Sequence, residues 1–164
     1  MKHIKLLIID VDGTLTDGKI YMGENDEIMK AFDVKDGYGI AHILPKLGIV
    51  PVIITGRESE IVANRAAELG ISEVYQGISD KLITLKTVAE KYECTPDNLA
   101  YIGDDINDLP CIEYCGVTAC PLDGHELIKQ SVSYICNNSG GSGAVREFID
   151  HIEERYEASS NTIR

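Results

Sequence analysis

Short apolar runs alternate with helix-period segments from one end of the chain to the other. Leu6–Ile9 is an uninterrupted apolar stretch within a first strand, Lys5–Asp10. Lys19–Met22 and Glu27–Asp33 read as a hairpin across the turn-rich Gly23-Glu24-Asn25-Asp26. In Asp36–Leu47 the apolar positions Ile40, Ile43, Leu44 and Leu47 share one helical face, and Gly48 stops it. Val50–Ile54 is a second apolar strand, and Ser59–Leu69 a helix closed by Gly70. Glu73–Tyr75, Leu99–Ile102, Gly116–Ala119 and Tyr134–Ile135 complete the strands. Lys81–Tyr92, Ile106–Tyr114, His125–Gln130 and Ala144–Tyr156 complete the helices. Strands separated by helices predict an α/β fold, a doubly wound parallel sheet covered on both faces. Residues 1–157 then form a single domain with a projecting β-hairpin near 19–33, and the polar stretch 158–164 a mobile tail.

Composition narrows the choice of partners. The 164 residues suit one core of useful size, and the apolar share of 44% is ordinary for a globular chain. A formal net charge of −12 argues against nucleic acid and anionic membrane as partners. No apolar run approaches the roughly 20 residues of a membrane helix. Met1-Lys2-His3-Ile4-Lys5 runs into the first strand without a cleavable leader pattern, which predicts a cytoplasmic protein. The five cysteines read as reduced thiols, and Cys111, Cys115 and Cys120 match no zinc spacing. His3, His42, His125 and His151 are scattered, and none is assigned to catalysis.

The chemistry-bearing residues sit where strands end. The first strand delivers Asp10 and Asp12, and Gly13 breaks it. Ligands of open α/β sheets bind at such carboxyl ends. Two carboxylates there are costly unless a cation or a reaction uses them. Mg²⁺ would, since it takes one or two carboxylates together with waters and phosphate oxygens. Taken alone, Asp-x-Asp-Gly also reads as a solvated turn. The second strand ends in Thr55-Gly56-Arg57, Lys81 opens a helix, and the fourth strand runs into Gly103-Asp104-Asp105-Ile106-Asn107-Asp108. All four sites open on one edge of the sheet. Taken singly, Thr55 reads as a cap and Lys81 as a surface charge. Asp105 and Asp108 read as supporting acidic groups beside Asp104, or else as favourable charges at a helix N-terminus.

The set Asp10-Val11-Asp12-Gly13-Thr14, Thr55, Lys81 and Gly103 to Asp108 resembles the haloacid dehalogenase superfamily of phosphatases. That resemblance implies a Rossmann-like fold and a nucleophilic Asp10 that forms an aspartyl phosphate. It implies Asp12 as general acid and base, and Thr55 and Lys81 as catalytic groups on the phosphoryl oxygens. Mg²⁺ would be held by Asp10, Asp104 and the backbone carbonyl of Asp12. The intervals from Thr14 to Thr55 and from Lys81 to Asp104 leave no room for a large cap domain.

A narrower resemblance rests on Thr16-Asp17-Gly18, Asp33-Val34-Lys35-Asp36-Gly37-Tyr38-Gly39-Ile40, Ile54-Thr55-Gly56-Arg57, Tyr75-Gln76-Gly77 and Gly140 to Glu147. These stretches are similar to the 3-deoxy-D-manno-octulosonate 8-phosphate phosphatase family, which is capless, tetrameric and serves lipopolysaccharide biosynthesis. It implies a 2-keto sugar acid phosphate as substrate and a homo-oligomer, a tetramer, whose hairpins pack together and whose subunits cover one another's sites. Ile20, Met22, Ile28 and Phe32 would be the apolar residues buried there. Substrate contacts would come from Gly13, Thr14, Lys35, Gly56, Arg57, Arg65 and Arg146. Lys35 and Ser142 stand where that family usually has arginine, which weakens bidentate carboxylate recognition. A nonulosonate 9-phosphate, and a non-catalytic assembly module with this fold, are the alternatives. The glycines from Gly140 to Gly143 read either as a flexible loop or as backbone that must approach a ligand closely.

Overall fold

A computed structural model describes residues 3–161. Six strands form one sheet: β1 (Leu6–Ile9), β4 (Val50–Ile54), β5 (Glu73–Tyr75), β6 (Leu99–Ile102), β7 (Val117–Cys120) and β8 (Tyr134–Ile135). Their order is β5-β4-β1-β6-β7-β8, and every neighbouring pair is parallel. β1 lies between β4 and β6, with Leu6 opposite Val50 on one side and Leu99 on the other. The chain therefore builds outward from β1 in one direction, then returns and builds in the other. The reversal leaves a crevice at the C-terminal end of β1.

Alternation along β1 explains the two layers. Leu7 and Ile9 face a core shared with Ile40, Leu44, Val62, Ala66 and Phe148. Leu6 and Ile8 face the other core, with Leu85, Val88, Cys111, Ile112 and Ile128. The first layer is covered by α2 (Leu44–Leu47) and the helical segment Gly39–Ile43 that joins it to α1 (Val34–Tyr38), and by α3 (Glu60–Glu68) and α7 (Ala144–Asn161). The second is covered by α4 (Lys81–Lys91), α5 (Leu109–Tyr114) and α6 (Glu126–Ser131). A strand packed on both faces needs the continuous apolar run that β1 has. No helix among the described residues is long and apolar enough to cross a membrane.

The hairpin is shorter than its sequence pattern predicts. β2 (Tyr21–Met22) and β3 (Glu27–Met29) pair antiparallel with a register shift between Tyr21 and Met22. The segment to Asp33 does not continue as a strand, because the Asp33 side chain accepts from the backbone N–H of Lys35 (2.6 Å) and of Asp36 (3.4 Å) and so caps α1. Phe32, partly buried, packs on the protein's own core and under the Arg65 guanidinium, 5.7 Å from its ring centroid. Ile20, Met22 and Ile28 are exposed as expected. The closing helix runs to Asn161, past the Tyr156 end that periodicity predicts. Of the predicted tail, 162–164 lie outside the described residues.

Glu73 secures the outer strand β5. Its carboxylate accepts from Lys91 Nζ (2.5 Å), Tyr92 OH (2.8 Å) and Tyr75 OH (2.6 Å), and these donors hold its pKa down at about 2. A carboxyl depressed in the folded state stabilises above its ordinary value of 4.5, and that stability is lost as pH falls through about 2. Glu73→Gln should cost about 1–3 kcal/mol at neutral pH, the worth of hydrogen bonds to a charged group. Urea unfolding should show that loss shrinking between pH 4.5 and about 2, where the wild-type carboxylate protonates.

Candidate active site

The loops after β1, β4 and β6 meet over the crevice. Asp10 follows β1 directly, and its N–H donates to Ile102 O (3.1 Å), which extends the ladder by one residue and fixes the carboxylate's origin. Thr55 follows β4 and is held by N–H donation to Tyr75 O (3.0 Å), while its own carbonyl accepts from Ile78 N–H (3.1 Å). Lys81 is the first residue of α4. A cavity of about 220 Å³ lies between these loops, lined by Asp10, Asp12, Thr55, Gly56, Arg57, Asp104, Asp105 and Asn107.

Beneath that cavity lies a buried ion cluster. Lys81 Nζ donates to Asp10 Oδ1 (2.6 Å) and Asp108 Oδ1 (2.7 Å). Asp108, wholly buried, also accepts from Tyr101 OH (2.6 Å) and, through Oδ2, from the N–H groups of Asp104 (3.0 Å) and Asp105 (3.2 Å). Its four donors make it the clamp of the Asp104 loop, a stronger role than a charge at a helix N-terminus. Burial pushes the Asp10 pKa well up, Asp108 adds to the rise, and Lys81 opposes it. Burial also lifts Asp104 to about 6, again with Asp108 adding. Burial alone would lower the Lys81 pKa, but Asp10 and Asp108 outweigh it and hold the ammonium charged.

Three carboxylates with one ammonium leave uncompensated negative charge. Asp10, Asp104 and Asp108 each bring an oxygen within 4.8 Å of the others. Hard oxygen donors at that spacing fit a small divalent cation. Asp10 and Asp104 are the members with capacity left to ligate, because the oxygens of Asp108 are already engaged.

Glycine makes this closeness possible. Gly13 sits at φ +96°, and a Cβ there would lie 2.1 Å from Asp104 Oδ2. Thr14 is fully buried and donates to Asp104 Oδ1 (3.1 Å), so it braces the acid from within and does not face the cavity. The Gly140–Gly143 segment packs on this same loop. A Cβ on Gly140 would fall 1.9 Å from Gly13 O, and Gly141 N–H donates to Thr14 O (3.1 Å). The close approach that these glycines serve is to the Asp12–Thr14 backbone, and the loop is held there.

The fold brings together Asp10, Asp12, Thr55, Gly56, Arg57 and Asp104 around the cavity, with Lys81 just below. It does not bring the other predicted cations there within one chain. Arg65 lies against Phe32 and pairs with Glu68 (2.8 Å). Arg146 stacks on Tyr38 and pairs with Asp150 (2.7 Å). Lys35 and Arg146 line a separate groove along α7. Tyr101 and Lys30 lie in predicted strands, and nothing in the sequence gives either a role at the site. Lys30 donates to Asp12 Oδ1 and pairs with Glu27 (2.8 Å), and its only signature in sequence is a lysine at the end of a hairpin.

The comparisons agree with this geometry. Residues 54–149 match the family model of haloacid dehalogenase-like hydrolases. The 3-deoxy-D-manno-octulosonate 8-phosphate phosphatase KdsC of Escherichia coli K12 is 48% identical over 149 residues, 91% of this chain and 79% of that protein. The chain belongs to the haloacid dehalogenase-like hydrolases, on the KdsC branch. Its fold is likewise that of this hydrolase family. A solved structure of 3-deoxy-D-manno-octulosonate 8-phosphate phosphatase from Moraxella catarrhalis, in complex with magnesium ion, phosphate ion and KDO, is 40% identical with a TM-score of 0.89. It covers 99% of this chain and 95% of its own. The cobalt-bound enzyme of Haemophilus influenzae is 37% identical with a TM-score of 0.89, covering 93% and 88%.

Gly13→Ala should leave this hydrolase folded but push the Asp104 carboxylate away from Asp10. A misplacement near 1 Å costs about 10²-fold in rate. Steady-state hydrolysis of p-nitrophenyl phosphate across a Mg²⁺ titration measures it, and the variant should need more Mg²⁺ to reach its lower plateau.

Proposed function

We propose that this chain is a Mg²⁺-dependent phosphatase that hydrolyses 3-deoxy-D-manno-octulosonate 8-phosphate through an aspartyl phosphate on Asp10. The reaction is carried by one observation, the buried Asp10 carboxylate held by Lys81 beside Asp104. The substrate comes from the relatives, of which the Escherichia coli KdsC phosphatase is 48% identical over nine-tenths of this chain.

Asp10 attacks phosphorus as the bond to the sugar oxygen breaks. Asp12 gives a proton to the departing oxygen, then takes one from the water that hydrolyses the acyl phosphate. Lys81 opposes the rise that burial imposes on the Asp10 pKa, and with Thr55 it stabilises the phosphoryl oxygens as charge moves among them. Asp10, Asp104 and the Asp12 carbonyl would hold Mg²⁺, whose positive charge would let the carboxylate and the phosphate meet. Gly56 and Arg57 follow Thr55 along the cavity wall, where Arg57 receives the substrate's anionic end. In an acidic protein such local cations are what makes a polyanionic substrate acceptable.

Lys35, Arg65 and Arg146 serve the site only by way of an assembly, and we propose a homotetramer. Met22, Ile28, Met29, Val34 and Tyr38 are exposed on or beside the hairpin, more apolar surface than an isolated ribbon carries. The enzyme acts in the cytoplasm, where five free thiols stay reduced.

Asp10→Asn should abolish phosphate release from 3-deoxy-D-manno-octulosonate 8-phosphate, as EDTA should for the wild type, with circular dichroism unchanged. Turnover surviving in Asp10→Asn would exclude the acyl phosphate. A higher kcat/KM for a nonulosonate 9-phosphate than for the eight-carbon substrate would move the specificity. The paired change Met22→Glu and Ile28→Glu should give a smaller species by light scattering, and a wild-type monomer at micromolar concentration would refute the assembly.

A further inference from the structure

Among the described residues the fold buries only two lysines, Lys81 and Lys30. Lys81 belongs to the ion cluster under Asp10. Lys30 comes from the hairpin, one residue beyond β3, and its side chain is entirely removed from solvent. Its ammonium donates to Asp12 Oδ1 and pairs with Glu27 Oε1 at 2.8 Å. Glu27 in turn accepts from Ser59 Oγ (2.6 Å), the residue before α3. The chain of contacts Asp12–Lys30–Glu27–Ser59 thus ties the loop after β1 to the hairpin and to a core helix.

The Asp12 carboxylate has little else to hold it. Among the described residues Lys30 is its one side-chain hydrogen-bond donor, while the half-exposed Arg57 stands 3.9 Å away from both Asp12 and Glu27. Asp12 follows β1 by three residues, next to the glycine at φ +96°, so the sheet ladder no longer dictates its side-chain direction. A proton crosses efficiently only when donor and acceptor are held within hydrogen-bond reach.

We propose that Lys30 is a positioning residue that aims the Asp12 carboxylate at the leaving oxygen, with Glu27 and Ser59 anchoring Lys30. The hairpin is then part of the proton-transfer apparatus as well as an assembly surface. This rests on the reading of Asp12 as general acid and base.

The test uses two substrates and kcat/KM, which reports steps up to departure of the leaving group. The sugar oxygen leaves as an alkoxide and needs a proton, whereas p-nitrophenolate departs without one. Lys30→Met should lower kcat/KM for 3-deoxy-D-manno-octulosonate 8-phosphate by about 10-fold or more and that for p-nitrophenyl phosphate by less than about 3-fold, the mark of a lost proton-transfer geometry. Lys30→Arg should restore part of the loss. Added to Asp12→Asn, Lys30→Met should have little further effect on the sugar phosphate, because it acts through Asp12. If Lys30→Met does not fold, Glu27→Gln loosens the same anchor and should give a smaller loss with the same selectivity. Equal losses on both substrates from a folded variant, or full additivity with Asp12→Asn, would overturn the positioning role alone. An Asp12→Asn enzyme without selectivity for the sugar phosphate would instead remove the general-acid reading, and the role of Lys30 with it.

Discussion

The site depends on one buried ammonium. Lys81 lies between Asp10 and Asp108, and all three are nearly or wholly out of solvent. Burial raises the Asp10 pKa and Lys81 opposes that rise, which matters because a protonated Asp10 is no nucleophile. Breaking such a pair by removing one partner is far costlier than its net contribution to stability suggests. The cluster is therefore better understood as a device for keeping charge where chemistry needs it. Asp108 completes it by gathering Tyr101, Lys81 and two backbone N–H groups, so that the loop carrying Asp104 is set by the same residue that neutralises the lysine.

The sheet supplies the rigidity for this arrangement. Asp10, Thr55 and Asp104 each follow one of three adjacent parallel strands, β1, β4 and β6, whose pairing fixes their origins relative to one another. Around that frame the close contacts are made by backbone. Gly13 leaves room for Asp104, and Gly140 leaves room for Gly13. The glycine-rich segment before α7 thus acts on the site from behind, as a wall for the Asp12–Thr14 loop. The hairpin acts from the other side through Lys30.

The acidic charge of the chain takes on a specific meaning in this setting. Much of it lies on the surface, while the groups that face the substrate include a guanidinium and a buried ammonium. Arg65 and Arg146 already have carboxylate partners and aromatic faces within the subunit. Any contact they make with a substrate bound to a neighbouring subunit would compete with these pairs. Arg57 differs from them: its pairs with Asp12 and Glu27 are long, at 3.9 Å, and it stands half-exposed on the cavity wall.

The parallel α/β architecture is legible in the chain alone, because apolar runs such as Leu6–Ile9 alternate with helix-period segments, as in a sheet covered on both faces. The sequence also puts Asp10, Asp12, Thr55, Lys81 and Asp104 at element ends, though taken singly Thr55 reads as a cap and Lys81 as a surface charge, and only the resemblance joins them into one site. Local signals ran out where partners are distant in the chain. Asp33 lies in a stretch with strand character, and its capping bonds depend on the turn that it starts; the packing of Phe32 depends on Arg65 of α3 and on the core. Only tertiary structure joined Lys30 to Asp12 across 18 residues, Tyr101 and Lys81 to Asp108, and Gly140 to Gly13. Those contacts are invisible to periodicity because they belong to loops and strand ends, where position is set by what the sheet brings alongside.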